Sequence, residues 1–347
     1  MSVFMTENRL LGGLRETVAG TTEAITSGDY DVRARNVELG SLTVEFDNES
    51  SKFATGDHTR DEAIAGVTKG EISFDIKLAP GEFDTVTSAG SLQYDKYLEG
   101  AGLISEYVGD GVTPGKYVFT PGKAGDVNTC TIGLVDVESG SSPKTIEYKL
   151  GGAMSSLTIG VEGAGKPIIA NLGFSGKIAG VSELSATPVY SDSDALSSIA
   201  DKFFNYTVRV TDLSDDSTEE FCINSFSLES GASLNSLMCQ SDASGILYDS
   251  ITSRDPRITI NPLLKSLTDW NFWSAINGEG VYKLEILGDQ IEIVVPRGQF
   301  ISPSISDDGG YLRNELVMRP LRNVEGTTQA SKEAVYSISI DEIEKPV

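Results

Sequence analysis

The sequence predicts a mainly β protein whose two halves repeat one order of elements. Three observations carry this. Glu71-Ile72-Ser73-Phe74-Asp75-Ile76-Lys77-Leu78 alternates polar and apolar residues without a break, so one face of a strand is buried and the other is wet. Leu42-Thr43-Val44-Glu45-Phe46 has the same period and supplies a neighbouring strand. Glycine is abundant at 36 residues and long helical patterns are scarce, which suits short strands joined by turns.

Met1 to Asp31 has weak periodicity and reads as an extended arm or irregular lead-in. Val37 to Phe46 is the first strand region. Asp47 to Gly70 is a long polar segment, a length that inside a compact domain points to function or disorder. Strand 71–78 follows, and Pro80-Gly81 breaks it. A helix is expected from about Ser88 to Gly100, with Leu92, Tyr97, Leu98 and Ala101 on one stripe and Gly100 and Gly102 as stop signals. Strands are expected at 117–120 and 129–135. Thr145 to Leu150 directs Ile146, Tyr148 and Leu150 one way and Glu147 and Lys149 the other. Ser155 to Glu162 and Ile168 to Ile178 complete this half.

Ser182 to Ala200 lacks alternation and reads as a linker. The second half begins with a strand at 203–211. Ser225 to Leu228 matches 42–46, the polar segment 229–255 matches 47–70, and Arg257-Ile258-Thr259-Ile260-Asn261 matches 71–78. Pro262 is expected to open a helix through about Ile276, with Gly278 after it. Strands follow at 281–287, 290–295, 300–306 and 315–319. The expected units are therefore 1–181, a linker 182–202, and 203–347.

Charge and composition bound the function. Acidic residues number 51 against 27 basic, a formal charge of −24. That balance argues against an external nucleic-acid-binding surface, which needs clustered Lys and Arg, but not against a surface that repels phosphates. Three widely spaced cysteines, Cys130, Cys222 and Cys239, read as reduced, buried thiols rather than a metal set. No apolar run approaches the ~20 residues of a membrane span, and the start of the sequence lacks a signal-peptide pattern.

Little in the sequence points to catalysis. His58 is the sole histidine; with Asp57, Arg60, Asp61 and Glu62 it reads as a solvated loop. A Ser-His-Asp arrangement is therefore improbable. The glycines at 160, 163 and 165 lack the ending of a phosphate loop. Trp270, Phe272 and Trp273 read as helix-to-sheet packing, because no basic residues surround them. Glu45, Asp47, Glu71, Asp75, Glu147 and Glu162 fall on polar strand faces and together point to an acidic sheet surface. No catalytic, cofactor-binding or metal residues are expected.

Several segments resemble the tail tube proteins of long-tailed, siphovirus-like bacteriophages. They are Arg15 to Thr22, the strand 37–46, Lys69 to Ile76, Lys96 to Leu103, Tyr117 to Pro121, Ile223 to Leu228 and Ser253 to Pro256. The resemblance implies tandem β-sandwich or partial-barrel tube domains, each flanked by a short helix, whose strands close into a β-barrel lumen on oligomerisation. It implies a structural virion protein stacking as rings into a conduit for genome delivery. A duplicated member would form homotrimers with pseudo-sixfold symmetry. Implied partners are further copies of the chain, a tape measure protein, tail terminator and distal tail proteins, and double-stranded DNA passing non-specifically. Assembly in the host cytoplasm and residence in the virion tail follow, with no membrane and no cofactor. The lumen would be lined by Glu45, Asp47, Glu71, Ser73, Asp75, Lys77, Arg257, Thr259 and Asn261. Rings would meet through the loop holding Asp57, His58, Arg60, Asp61 and Glu62. Arg257, Thr259 and Asn261 stand where the first half has Ser73, Asp75 and Lys77, so a uniformly acidic lumen is not expected. The competing readings are another β-rich assembly or attachment protein (capsid decoration protein, surface layer component or adhesin), and a carbohydrate-active enzyme, for which no carboxylate pair can be placed.

Overall fold

The structure, a computed structural model, describes residues 4–30, 34–47, 64–84, 89–110, 113–123, 127–138, 144–186, 188, 203, 206–267, 270–277, 280–323 and 334–344. The chain is mainly β and forms one large, almost wholly antiparallel sheet network. Its first half holds β1 (Phe4–Arg15), β2 (Ala34–Asp47), β3 (Ile64–Lys77), β4 (Gly81–Asp84) and β5 (Ala89–Ser91). There follow α1 (Asp95–Gly100), β6 (Leu103–Val108), β7 (Lys116–Pro121), β8 (Cys130–Glu138), β9 (Thr145–Val161) and β10 (Ile169–Leu184). The second half holds β11 (Thr207–Asp212), β12 (Thr218–Phe221), β13 (Ile223–Glu229), β14 (Ala232–Met238) and β15 (Ile246–Arg254). It ends with β16 (Arg257–Pro262), α2 (Phe272–Asn277), β17 (Tyr282–Leu287), β18 (Ile291–Asp308), β19 (Tyr311–Pro320) and β20 (Ser337–Glu344).

Strand order repeats between the halves. The first half pairs in the order β2-β3-β10-β9-β8-β1. The second pairs in the order β13-β16-β19-β18-β17-β11. Taken along the chain, the two series correspond strand for strand, and each places its helix between the third and fourth members. One pairing joins them: Thr158 to Val161 of β9 run antiparallel to Phe226 to Glu229 of β13. Eight strands, β2-β3-β10-β9-β13-β16-β19-β18, therefore lie side by side.

The alternation of 71–78 is realised. Ile72, Phe74, Ile76 and Leu78 are buried, while Glu71, Ser73, Asp75 and Lys77 alternate on the other side. Phe74 stacks on Phe174 at 5.7 Å, and Tyr97 of α1 meets Phe74 edge-on at 5.4 Å. Burying side chains of this size contributes about 1.5–3 kcal/mol each. In the second half Trp270 presents its edge to Phe221 at 4.9 Å and to Phe300 at 5.9 Å.

Several expectations are corrected. The lead-in is no free arm: β1 pairs with β8 along its own sheet. Strands expected separately at 145–150 and 155–162 are one strand, β9, and those at 290–295 and 300–306 are one strand, β18. Gly152, at φ +57°, bends β9 instead of ending it; a Cβ there would sit 2.8 Å from Tyr248 Cα. The bend lets β9 pair with β8 before it and with β13 after it. Both helices are shorter than expected. β5 occupies part of the first, and Pro262 ends β16 in place of opening α2. Trp273 is exposed, so of the aromatic residues expected to pack helix on sheet only Trp270 and Phe272 do so. β10 continues to Leu184, past the expected start of the linker at Ser182. Of the cysteines only Cys130 is buried. β20 lies between β18 and β7 of the first half, with Ile338 to Ile340 pairing with both, and then runs parallel to β4.

Candidate functional site

The polar face of the eight-strand sheet gathers the candidate residues of β3 and β16. Glu71, Ser73, Asp75 and Lys77 stand on the wet side of β3, and Arg257, Thr259 and Asn261 on the wet side of β16. Register makes these one surface. One row runs Arg35, Asp75, Asn171, Thr158, Glu229, Arg257. The next runs Lys77, Ile169, Gly160, Ser227, Thr259, Val317, Ser302. In antiparallel pairs directly opposed residues share a face, so each row crosses from one half into the other.

Within the rows, polar groups satisfy one another. Asp75 accepts from Asn36 Nδ2 and Asn171 Nδ2, both at 2.6 Å, which ties β2, β3 and β10 together. Asn36 sits at φ +49° beside a register shift in β2, so this bond holds a strained corner. Asn261 Oδ1 accepts from the amides of Asn224 at 3.1 Å and Ser225 at 2.8 Å, and fixes the irregular start of β13. Arg257 and Arg319 flank Asp255, whose carboxyl is held below its usual range by the hydrogen bond from Arg257 and by the nearby Arg319. The face carries Ser, Thr, Gly and Asn between mixed charges.

Other candidates fare differently. Glu45 and Asp47 lie in the last four residues of β2, of which only the backbone is described. Asp57, His58, Arg60, Asp61 and Glu62 lie outside the described residues. Glu147 is a correction: it is buried and accepts a hydrogen bond from Tyr30 at 2.7 Å. The segment after β1 folds over the outer side of β8 and β9, with Ile25 and Tyr30 against Gly133, and that cover takes Glu147 out of water. Glu162 is exposed at the end of β9.

The polar segment 229–255 is not an open loop but the hairpin β14–β15, which packs on β3, β9 and β10 of the first half. Asp249, fully buried, accepts from Ser175 at 2.7 Å and Ser236 at 2.6 Å, with Lys69 Nζ 3.4 Å away. Lys177 meets Asp242 at 2.7 Å; this bond, with those from Ser244, lowers the Asp242 carboxyl to about 2. Arg319, Asn171, Thr158, Glu229 and Ser227 also belong to the face. Only cross-strand register identifies them, and single-strand periodicity does not carry register.

Among the described strands, β2 and the far part of β18 are the edges of these eight. Among the described strands β2 pairs only with β3, and β18 beyond Phe300 pairs only with β19. Ile301, Ile305 and Leu312 near the latter edge are 43%, 52% and 52% exposed. At the matching place in the first half Val161 and Ile168 are buried, beneath β13 and Phe203. Among the described residues no group of acidic, histidine or cysteine side chains is arranged to hold a metal, and no helix is long and apolar enough to cross a membrane. No family model matches the chain, and no curated protein matches it.

Proposed function

We propose that this chain is a structural subunit of a tail tube, with two tandem tube domains, that closes into homotrimeric rings of pseudo-sixfold symmetry and stacks to form a conduit for double-stranded DNA. The observation that carries the reading is the repeated strand order with its internal seam. Where β9 of the first unit meets β13 of the second, the corresponding edges are β2 and the part of β18 beyond Phe300, and among the described strands each has one partner only. An open sheet edge is a template for pairing. Joining β18 of one copy to β2 of the next repeats the contact already made inside the chain. A closed ring of such contacts leaves no edge. The polar rows then line the channel, and the apolar side faces outward into the core. No catalytic role is assigned, and the tape measure, terminator and distal tail proteins are the expected neighbours in a virion tail.

Electron microscopy and light scattering of the purified chain test this. Rings with a central hole and a mass three times that of the chain are expected. A protein that stays monomeric at all concentrations overturns the reading.

A further inference from the structure

Two arginines stand side by side on the polar face. Ile258 pairs with Met318, which sets Arg257 next to Arg319 on the wet side. Their side chains are 52% and 57% exposed. Paired guanidiniums in the open are strong phosphate ligands, because each offers a planar fork of donors. Here one nitrogen of each fork faces a carboxylate. Asp255, at the corner between β15 and β16, places Oδ2 3.1 Å from Arg257 Nη2 and Oδ1 2.9 Å from Arg319 Nε. Glu229 stands opposite Arg257 in register. Two cations thus face two carboxylates.

We infer that Asp255, assisted by Glu229, is a built-in counter-ion that masks Arg257 and Arg319 from nucleic-acid phosphates. A phosphate approaching these arginines meets a carboxylate already fixed at the end of a strand, which engages one nitrogen of each guanidinium and offsets their charge. This rests on the conduit reading for its purpose, since a passage for DNA has to let go of every phosphate it meets. The electrostatic claim itself belongs to the single chain. The first half has no such device at the matching positions, where Ser73 and Gly173 carry no charge.

The test uses the full chain and a short DNA duplex, read by fluorescence anisotropy at several salt concentrations, with circular dichroism to check folding. Asp255→Asn is expected to bind the duplex more tightly than wild type. Freeing two cations adds about −2 to the slope of log affinity against log salt, roughly a tenfold loss between 50 and 200 mM. Glu229→Gln, which leaves the Asp255 corner intact, is expected to give a smaller gain, and the double variant the largest. Adding Arg257→Gln and Arg319→Gln to Asp255→Asn is expected to restore wild-type behaviour. The inference is overturned if the folded acidic-site variants bind no better than wild type. It is equally overturned if the gain survives loss of both arginines, because the effect is then net charge alone. If wild type forms no rings the conduit reading falls, while the titration still decides the masking.

Discussion

Phe74 and Asp75 are adjacent and face opposite ways, and their fates under substitution differ accordingly. Phe74 is 1% exposed within the ring cluster of Tyr97 and Phe174. Phe74→Asp buries an unpaired charge at a cost of several kcal/mol, so the expected outcome is an unfolded chain by circular dichroism. Sequence alternation alone marks Asp75 as a free surface residue for which Asp75→Asn is harmless. The two amide donors it holds change that. An asparagine there keeps one acceptor and sets its own NH₂ against the NH₂ of the second amide, so a loss of about 1 kcal/mol in urea unfolding is expected. Alternation within one strand made the buried face legible. Which polar residue is held, and by what, depends on Asn36 and Asn171 from other strands, and no local pattern reports that.

At the scale of elements, the strands with strict period two were legible, and the departures have physical causes. β9 reads as two strands because Gly151-Gly152 looks like a stop; tertiary packing against Tyr248 turns it into a bend. The first helix is shortened where Ala89–Ser91 join β4 as β5. The hairpin β14–β15 was hidden by its polar composition: Asp249, Ser236 and Asp242 are polar because they reach Ser175, Lys69 and Lys177 on the first half. That docking is pH-dependent. The Asp242 carboxyl is depressed from 3.8 to about 2, so its stabilising contribution is complete above about 4 and is lost as pH falls through about 2. Proteolysis at the hairpin tip is expected to accelerate over that window. Lys177→Met should remove most of this dependence, measured as cleavage rate against pH.

For the whole molecule the repeat was legible as an order of elements, but its seam was not, because β9 and β13 lie far apart in sequence. The seam yields a paired prediction. Phe226 is 3% exposed at the internal junction, so Phe226→Asp is expected to destabilise the monomer by several kcal/mol. Ile305 is 52% exposed at the matching free edge, so Ile305→Asp should leave the thermal midpoint of the monomer unchanged and abolish self-association by light scattering. If Ile305→Asp assembles normally, the edges of β2 and β18 do not meet.

The placement of β20 bears on how the chain comes to be folded. Ile338 lies beside Phe119 and Glu342 beside Gly81, so the strand pairs β6–β7 and β4–β5, made early in synthesis, stay incomplete until a strand translated far later arrives. Pairings of such long range are slow to form. During that interval β7 is an unprotected edge on a nascent chain, and a holdase or rapid dilution during refolding should raise the yield of native protein.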